Sequence, residues 1–182
     1  MNICVFCSAQ DVAPVYVQSA ERFAQLVAEN KHALIWGGSD RGLMKAIATG
    51  VQKGGGTIIG ISMELLKHKA RKDADEMIVT KDLSARKALM LERSDAFVAL
   101  VGGIGTLDEL TEVLALKRHG QHAKPIVLLN TDGFYEGLKI QFEKMNKEGF
   151  LENAEKPNSA GTLVYFADSP EDAMRYINEH GN

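Results

Sequence analysis

The chain has little surplus charge, no long apolar run and only two cysteines. Its 21 basic and 24 acidic residues leave a net charge of −3, with both signs mixed along all 182 positions. No face rich in one sign emerges, which argues against a nucleic-acid polymer as partner. The basic cluster Lys67-His68-Lys69-Ala70-Arg71-Lys72 reads as a solvated loop. No stretch approaches the roughly 20 apolar residues of a membrane span, and the N-terminus enters a strand too soon for a signal peptide. A cytoplasmic address and no membrane partner are expected. Nor does any linker, repeat or low-complexity tract divide the sequence. One domain over residues 1–182 is expected, long enough to bury a sizeable core.

The two cysteines, Cys4 and Cys7, are spaced Cys-x-x-Cys, but the run Ile3–Cys7 reads as a strand. Residues three apart on a strand point to opposite faces, and a redox pair belongs where a loop meets a helix N-terminus. Two buried thiols are expected. His119 and His122 suggest a ligand pair, yet Gly120 between them ends a helix and no carboxylate or cysteine stands close by. No metal site is expected. The dinucleotide fingerprint Gly-x-Gly-x-x-Gly is also missing after the first strand, which argues against a nicotinamide dehydrogenase.

What is present is regular alternation. Short β-branched or aromatic runs at Ile3–Cys7, Ala33–Trp36, Thr57–Ile61, Glu76–Thr80, Ala96–Val101, Pro125–Asn130 and Thr162–Phe166 read as strands. Helical patterns fall between them at Pro14–Glu29, Gly42–Lys53, Ser84–Ser94, Leu107–His119, Phe134–Glu148 and Pro170–His180. Ser169 as N-cap and Pro170 in the first helical position mark the start of the last one. Strands apolar on both faces and separated by helices imply a parallel sheet covered on both sides. The expected fold is a Rossmann-like, doubly wound α/β sheet of about seven strands.

In such sheets ligands bind beyond the carboxyl ends of the strands, near the switch in strand order. Three strand ends carry suitable chemistry. The first, Phe6-Cys7-Ser8-Ala9-Gln10, offers the small hydroxyl of Ser8. The second runs from Trp36-Gly37-Gly38 to Gly42-Leu43-Met44. The third is Gly102-Gly103-Ile104-Gly105-Thr106-Leu107-Asp108-Glu109, a glycine loop opening onto a helix. Bare glycines let backbone amides and a helix N-terminus face an anion or sugar. A loop built only for phosphate would not place the carboxylate of Glu109 in the first helical turn. The bland reading is a capping box, with Thr106 as N-cap and Glu109 reaching back to its amide. Arg86 and Lys87, near the start of a helix, oppose its dipole, a mild cost that favours pairing with an anion at the neighbouring strand ends.

The glycine loop resembles the Pro-Gly-Gly-x-Gly-Thr-x-x-Glu signature of the Lonely Guy family, cytokinin riboside 5′-monophosphate phosphoribohydrolases formerly labelled lysine decarboxylases. Arg86-Lys87-Ala88-Leu89-Met90 is similar to the family's Arg-Lys-x-x-Met, and Gly37 to Met44 to its Gly-Gly-x-x-x-Gly-Leu-Met. His122-Ala123-Lys124-Pro125 and the segment from Asn130 to Tyr135 resemble two further family elements. The resemblance implies a dimeric Rossmann-like enzyme that hydrolyses the N-glycosidic bond of a purine nucleoside 5′-monophosphate, giving free base and ribose 5-phosphate. Arg86 and Glu109 then match the catalytic pair. Lys87 and Gly102 to Thr106, a run that includes Gly103, Ile104 and Gly105, match substrate-binding positions, and Ser8, Gly37 and Gly38 join them as substrate-binding candidates from their own strand ends.

The chemistry agrees with that assignment. Cleaving an N-glycosidic bond develops positive charge on the ribose, which a carboxylate stabilises, while a permanently cationic arginine suits phosphate or a departing base. Neither metal nor organic cofactor is required. The alternative is a non-catalytic nucleotide or molybdenum-cofactor carrier of the same fold; a pyridoxal-dependent lysine decarboxylase would need a cofactor pocket that this chain has no evident means to build. Four positions depart from the family pattern: Val101 for proline, Lys45 for glycine, and Leu116 and Arg118 on the helix after the signature. The last two are expected near the base pocket or a subunit contact, weakening any preference for an isoprenylated base. The apolar residues Leu110, Val113, Leu114 and Leu116 lead to the expectation of a homodimer through this helix and Ser84–Ser94.

Overall fold

The computed structural model describes residues 1–151 and 163–181. Seven strands form one sheet in the order β4-β3-β2-β1-β5-β6-β7. They are β1 (Asn2–Phe6), β2 (Ala33–Trp36), β3 (Ile58–Met63), β4 (Glu76–Thr80), β5 (Ala96–Ala99), β6 (Ile126–Leu129) and β7 (Tyr165–Ala167). Every pairing is parallel, with Ile3 opposite Ala96 and Asn2 opposite Ala33 flanking the central strand. The helices are α1 (Pro14–Glu29), α2 (Gly42–Lys53), α3 (Leu83–Arg93), α4 (Ile104–Arg118), α5 (Glu136–Lys147) and α6 (Pro170–His180).

Strand alternation sorts the core into two layers. Ile3, Val5 and Cys7 pack with Phe23 of α1, Ile47 of α2 and Ile177 of α6. Cys4 and Phe6 pack on the other face with Met90 of α3, Leu110 of α4 and Phe142 of α5. The cysteines thus lie in different layers, both unpaired and buried, and burial pushes both thiols well above their ordinary range. A redox pair is ruled out by that geometry. His122 is occupied too: its Nε2–H donates to Val113 O (2.9 Å) and its Nδ1 accepts from Lys124 N–H (3.2 Å). Gly120 adopts φ +70°, ending α4 just before it.

Two boundaries and the reading of the basic cluster change in informative ways. The helix α4 starts at Ile104, three residues before the apolar periodicity suggests, because its first turn is the glycine loop itself. Gly103 is the N-cap and no side chain caps it. Thr106 is therefore inside the helix and Glu109 in its second turn, so the capping-box reading fails. The strand expected over Thr162–Phe166 is observed over Tyr165–Ala167, and Thr162 itself lies outside the described residues. The basic cluster is not simply a solvated loop. A 3-10 turn spans Glu64–Lys69, and Arg71 is buried beyond it. Its guanidinium donates to Asp73 Oδ1 (2.8 Å), Thr49 Oγ1 (2.8 Å) and Gln52 Oε1 (2.6 Å).

Strand order reverses between β1 and β5, so the carboxyl ends of these neighbours diverge and leave a crevice. Among the described residues, no helix is long and apolar enough to cross a membrane.

Candidate active site

The crevice is a cleft of about 400 Å³, within the size range of small-molecule sites. Four successive strand ends line it. The end of β5 contributes Gly103, Ile104, Gly105 and Thr106; β1 contributes Cys7, Ser8, Ala9 and Gln10; β2 contributes Gly37 and Ser39; β3 contributes Ser62. Met44, Leu66 and Lys69 complete the walls, with Arg86 and Glu109 below them.

The glycine loop is held from behind. Val101 O accepts from Ser8 N–H (3.1 Å), and Leu100 O accepts from the buried Tyr135 hydroxyl (2.6 Å). A Cβ on Gly102 would lie 2.0 Å from Thr106 Oγ1, so the loop closes on its own helix only with glycine there. Gly103, Ile104 and Gly105 are exposed, and the first amides of α4 have no capping side chain. An open, uncapped helix N-terminus facing a cleft favours an anion.

Arg86 and Glu109 form the floor. Each is only 6% exposed. Arg86 Nη1 donates to Glu109 Oε1 (2.7 Å) and its Nε donates to Ile61 O (2.8 Å). A Cβ on Gly37 would stand 2.5 Å from Arg86 Nη2, so that glycine makes room for the guanidinium. Burial raises the Glu109 carboxyl above its ordinary value, and the Arg86 charge and hydrogen bond pull against it. The pair joins α3 to α4 across the cleft floor, answering why α3 tolerates a cation in its first turns. Asp82, whose Oδ1 accepts from Ala85 N–H (2.8 Å), caps that helix against the cost.

Three residues expected to bind substrate do not line the cleft. Lys87 points instead to Asp108 (3.0 Å) and Glu112, and hydrogen bonding to Glu112 raises its pKa. It braces α3 against α4 behind the floor. Gly38, at φ +76°, supplies a backbone turn and a carbonyl that accepts from Arg71 N–H (2.8 Å). Gly102 supports the loop from beneath. Leu116 and Lys45 also lie off the cleft: the first lines a separate small cavity and the second an exposed groove along α2. Arg118, near the exposed end of α4, does not line the cleft either.

Sequence reasoning missed Ser62, Leu66 and Lys69, and it included Ser39 only as part of the second strand end. The usable signal was positional: the end of β3 and the segment after it belong to the same carboxyl edge as the other three strand ends.

Residues 44–177 match the family described as "Possible lysine decarboxylase". A probable cytokinin riboside 5′-monophosphate phosphoribohydrolase of Oryza sativa subsp. japonica is 37% identical over 98% of the chain and 72% of its own length. A cytokinin riboside 5′-monophosphate phosphoribohydrolase of Mycobacterium marinum is 31% identical over 96% of the chain and 91% of its own length. Among solved structures, a molybdenum cofactor binding protein from Rippkaea orientalis superposes with a TM-score of 0.73 at 29% identity, covering 98% of this chain and 95% of that one. The chain belongs to the Lonely Guy family, the group described as possible lysine decarboxylases, in which both of these relatives are named phosphoribohydrolases.

Proposed function

We propose that this protein hydrolyses the N-glycosidic bond of purine nucleoside 5′-monophosphates, AMP and its N6-isoprenylated form among them. The observation that carries the reading is the buried Arg86–Glu109 pair on the floor of a cleft whose rim is an uncapped helix N-terminus. The 5′-phosphate sits at the amides of Gly103, Ile104 and Gly105, with the Thr106 hydroxyl beside them. The ribose lies over Glu109. As the bond from C1′ to the base nitrogen breaks, its electron pair leaves with the base and positive charge grows on the sugar. Glu109 stabilises that charge and directs water onto C1′; the water's oxygen joins C1′ and one of its protons ends on the base. Arg86 holds Glu109 in place and offsets the negative charge gathered at the site. Binding energy from the remote phosphate is used at the anomeric carbon. No step needs a metal or organic cofactor.

A carrier reading has support of its own in the likeness to a molybdenum cofactor binding protein. It requires binding without cleavage, and it leaves the buried carboxylate without a task. Incubation with AMP and with isoprenylated AMP, followed by chromatography of released bases, separates the two readings. Free adenine or isoprenyladenine together with ribose 5-phosphate supports hydrolysis; intact nucleotide after extended incubation refutes it.

The working form in this reading is a cytoplasmic homodimer joined through α3 and α4. Leu110, Val113 and Leu114 are used inside the chain's own core, so the support is narrower than the sequence suggested. It rests on Leu83 (42% exposed) and Ile104 (81% exposed) at the starts of these two helices. Light scattering at micromolar concentration gives twice the chain mass if this is right and one chain mass if it is wrong.

A further inference from the structure

The segment from Asn130 to Tyr135, just beyond β6, takes no part in the chemistry derived above, yet its backbone is bent in an unusual way. A 3-10 turn spans Thr131–Gly133, and Asp132 (φ +53°) and Gly133 (φ +69°) are left-handed in succession. Outside glycine such backbone is adopted at a cost, so its presence here calls for a purpose. The turn is closed from within. Gly133 N–H donates to Asn130 O (3.1 Å), and Asn130 Oδ1 accepts from Tyr135 N–H (2.7 Å). It is also tied to α1, where Ser19 Oγ and Thr131 Oγ1 lie 2.8 Å apart.

What the turn delivers is the Tyr135 hydroxyl. The ring is buried in the layer that holds Phe6, Phe97 and Phe166. A phenol hydroxyl is costly to bury unless it is bonded, and phenylalanine would fill nearly the same space. This hydroxyl donates to Leu100 O (2.6 Å), two residues before Gly102. Leu100 N–H donates to Phe6 O (2.9 Å), and Val101 O accepts from Ser8 N–H (3.1 Å). Since β5 lies between β1 and β6, the stem of the glycine loop is held from the β1 side by backbone bonds and from the β6 side by Tyr135. The exposed residues Gly103, Ile104 and Gly105 ride on that stem.

Resting on the nucleotide-hydrolase reading, we infer that Tyr135 and Asn130 are positioning residues for the phosphate site. The Tyr135 hydroxyl, aimed by Asn130, fixes the stem so that the amides of Gly103, Ile104 and Gly105 converge on the 5′-phosphate. Neither side chain touches the nucleotide. Without the hydroxyl the stem must be ordered when phosphate binds, and that cost enters the affinity. Once phosphate is bound the loop has its working shape, so the cost shows in KM and kcat is spared.

The test compares the wild type with Tyr135→Phe, which keeps the ring and removes only the hydroxyl. Calorimetry measures ribose 5-phosphate, AMP and adenosine, and base release from AMP gives kcat and KM. Affinity for ribose 5-phosphate and AMP should fall about five- to tenfold, the worth of one buried hydrogen bond. Adenosine, which lacks the phosphate, should bind as before. KM for AMP should rise in step with the lost affinity while kcat changes by less than about twofold. Asn130→Ser loosens the turn and leaves Tyr135 in place, so it should move the same quantities in the same direction by a smaller factor. It carries the comparison if Tyr135→Phe does not fold. An equal loss for adenosine, a fall in kcat with KM unchanged, or unaltered affinity for ribose 5-phosphate overturns the inference; the first two mark a general loosening of the fold. A wild type that binds AMP without releasing base sinks the hydrolase reading alone, and the ratio of AMP to adenosine affinity in the variants then decides the positioning role.

Discussion

Replacing Glu109 by glutamine separates chemistry from architecture at one atom. Glutamine keeps the size and can still accept a hydrogen bond from Arg86 Nη1, now 2.7 Å from Glu109 Oε1. It removes the negative charge. The structural cost is the difference between a charge-assisted and a neutral hydrogen bond, about 1–2 kcal/mol, because Arg86 keeps its second bond to Ile61 O. For a chain of this length each kcal/mol moves Tm by about 2–4 °C, so a fall of roughly 2–8 °C is expected in a thermal scan, with a folded protein at assay temperature. The catalytic cost is larger. Losing a positioned acid–base group lowers turnover about 10²–10⁴-fold, some 3–5 kcal/mol of barrier. Single-turnover release of adenine from AMP, measured beside calorimetric AMP binding, is the assay. Binding near the wild-type value with turnover reduced at least a hundredfold is expected. A variant retaining more than a tenth of wild-type turnover would refute the assignment of Glu109 to the reacting centre.

Further expectations follow from the same geometry. Arg86→Ala leaves the buried Glu109 carboxylate uncompensated, so it should lower stability by about 3–5 kcal/mol and abolish turnover; unchanged unfolding in urea would contradict the buried pair. Burial raises the Glu109 pKa, so the acidic limb of kcat should lie above the ordinary carboxylate range. For stability the sign is opposite to that of a carboxylate with a depressed pKa. The folded state holds this proton more tightly than the unfolded chain, so stability is fullest below the unfolded value and declines as pH rises through the folded one. Subtracting the pH–stability curve of Glu109→Gln from that of the wild type should isolate this decline, and a difference rising with pH would contradict it. Gly102→Ala places a methyl group against Thr106 Oγ1, where an ideal Cβ lies 2.0 Å away. It should cost about 1–3 kcal/mol as overpacking and raise KM for AMP, with no KM change counting against the loop as the phosphate site.

Much of this architecture was legible because the sequence carries it redundantly. Alternation along Ile3–Cys7 places the two cysteines on opposite faces without any coordinate, and Pro170 after Ser169 fixes the start of α6, where Ser169 Oγ accepts from Asp172 N–H (3.1 Å). Strand ends rich in glycine point to one edge of the sheet, and the resemblance to the family's motifs is what singles out Arg86 and Glu109 as a pair. Three things were hidden for physical reasons. The start of α4 was misplaced because its first turn contains Gly105 and has no capping side chain, so periodicity begins only where side chains reach the core. Lys87 looks like a ligand group in sequence because nothing local shows that Asp108 and Glu112, 21 and 25 positions on, will claim it. Arg71 reads as one more surface charge because Thr49 and Gln52, two of its partners, sit on α2, 22 and 19 positions earlier. Tertiary pairing decides the fate of a charged side chain, and composition does not record it.

The Arg86–Glu109 pair itself is poorly explained by stability. Removing two charges from water costs several kcal/mol per ion, and well-packed apolar residues in such places often match or exceed the pair they replace. This chain nevertheless surrounds the pair with accommodations. Gly37 gives up a side chain so that Nη2 fits, Ile61 lends a carbonyl, and Asp82 caps the helix that carries the arginine. Each accommodation makes sense if the pair must stay charged and aligned beside a bound nucleotide. Local sequence rules are broken where a site demands it. Here the broken rules, a cation early in α3 and an uncapped start to α4, face each other across one cleft.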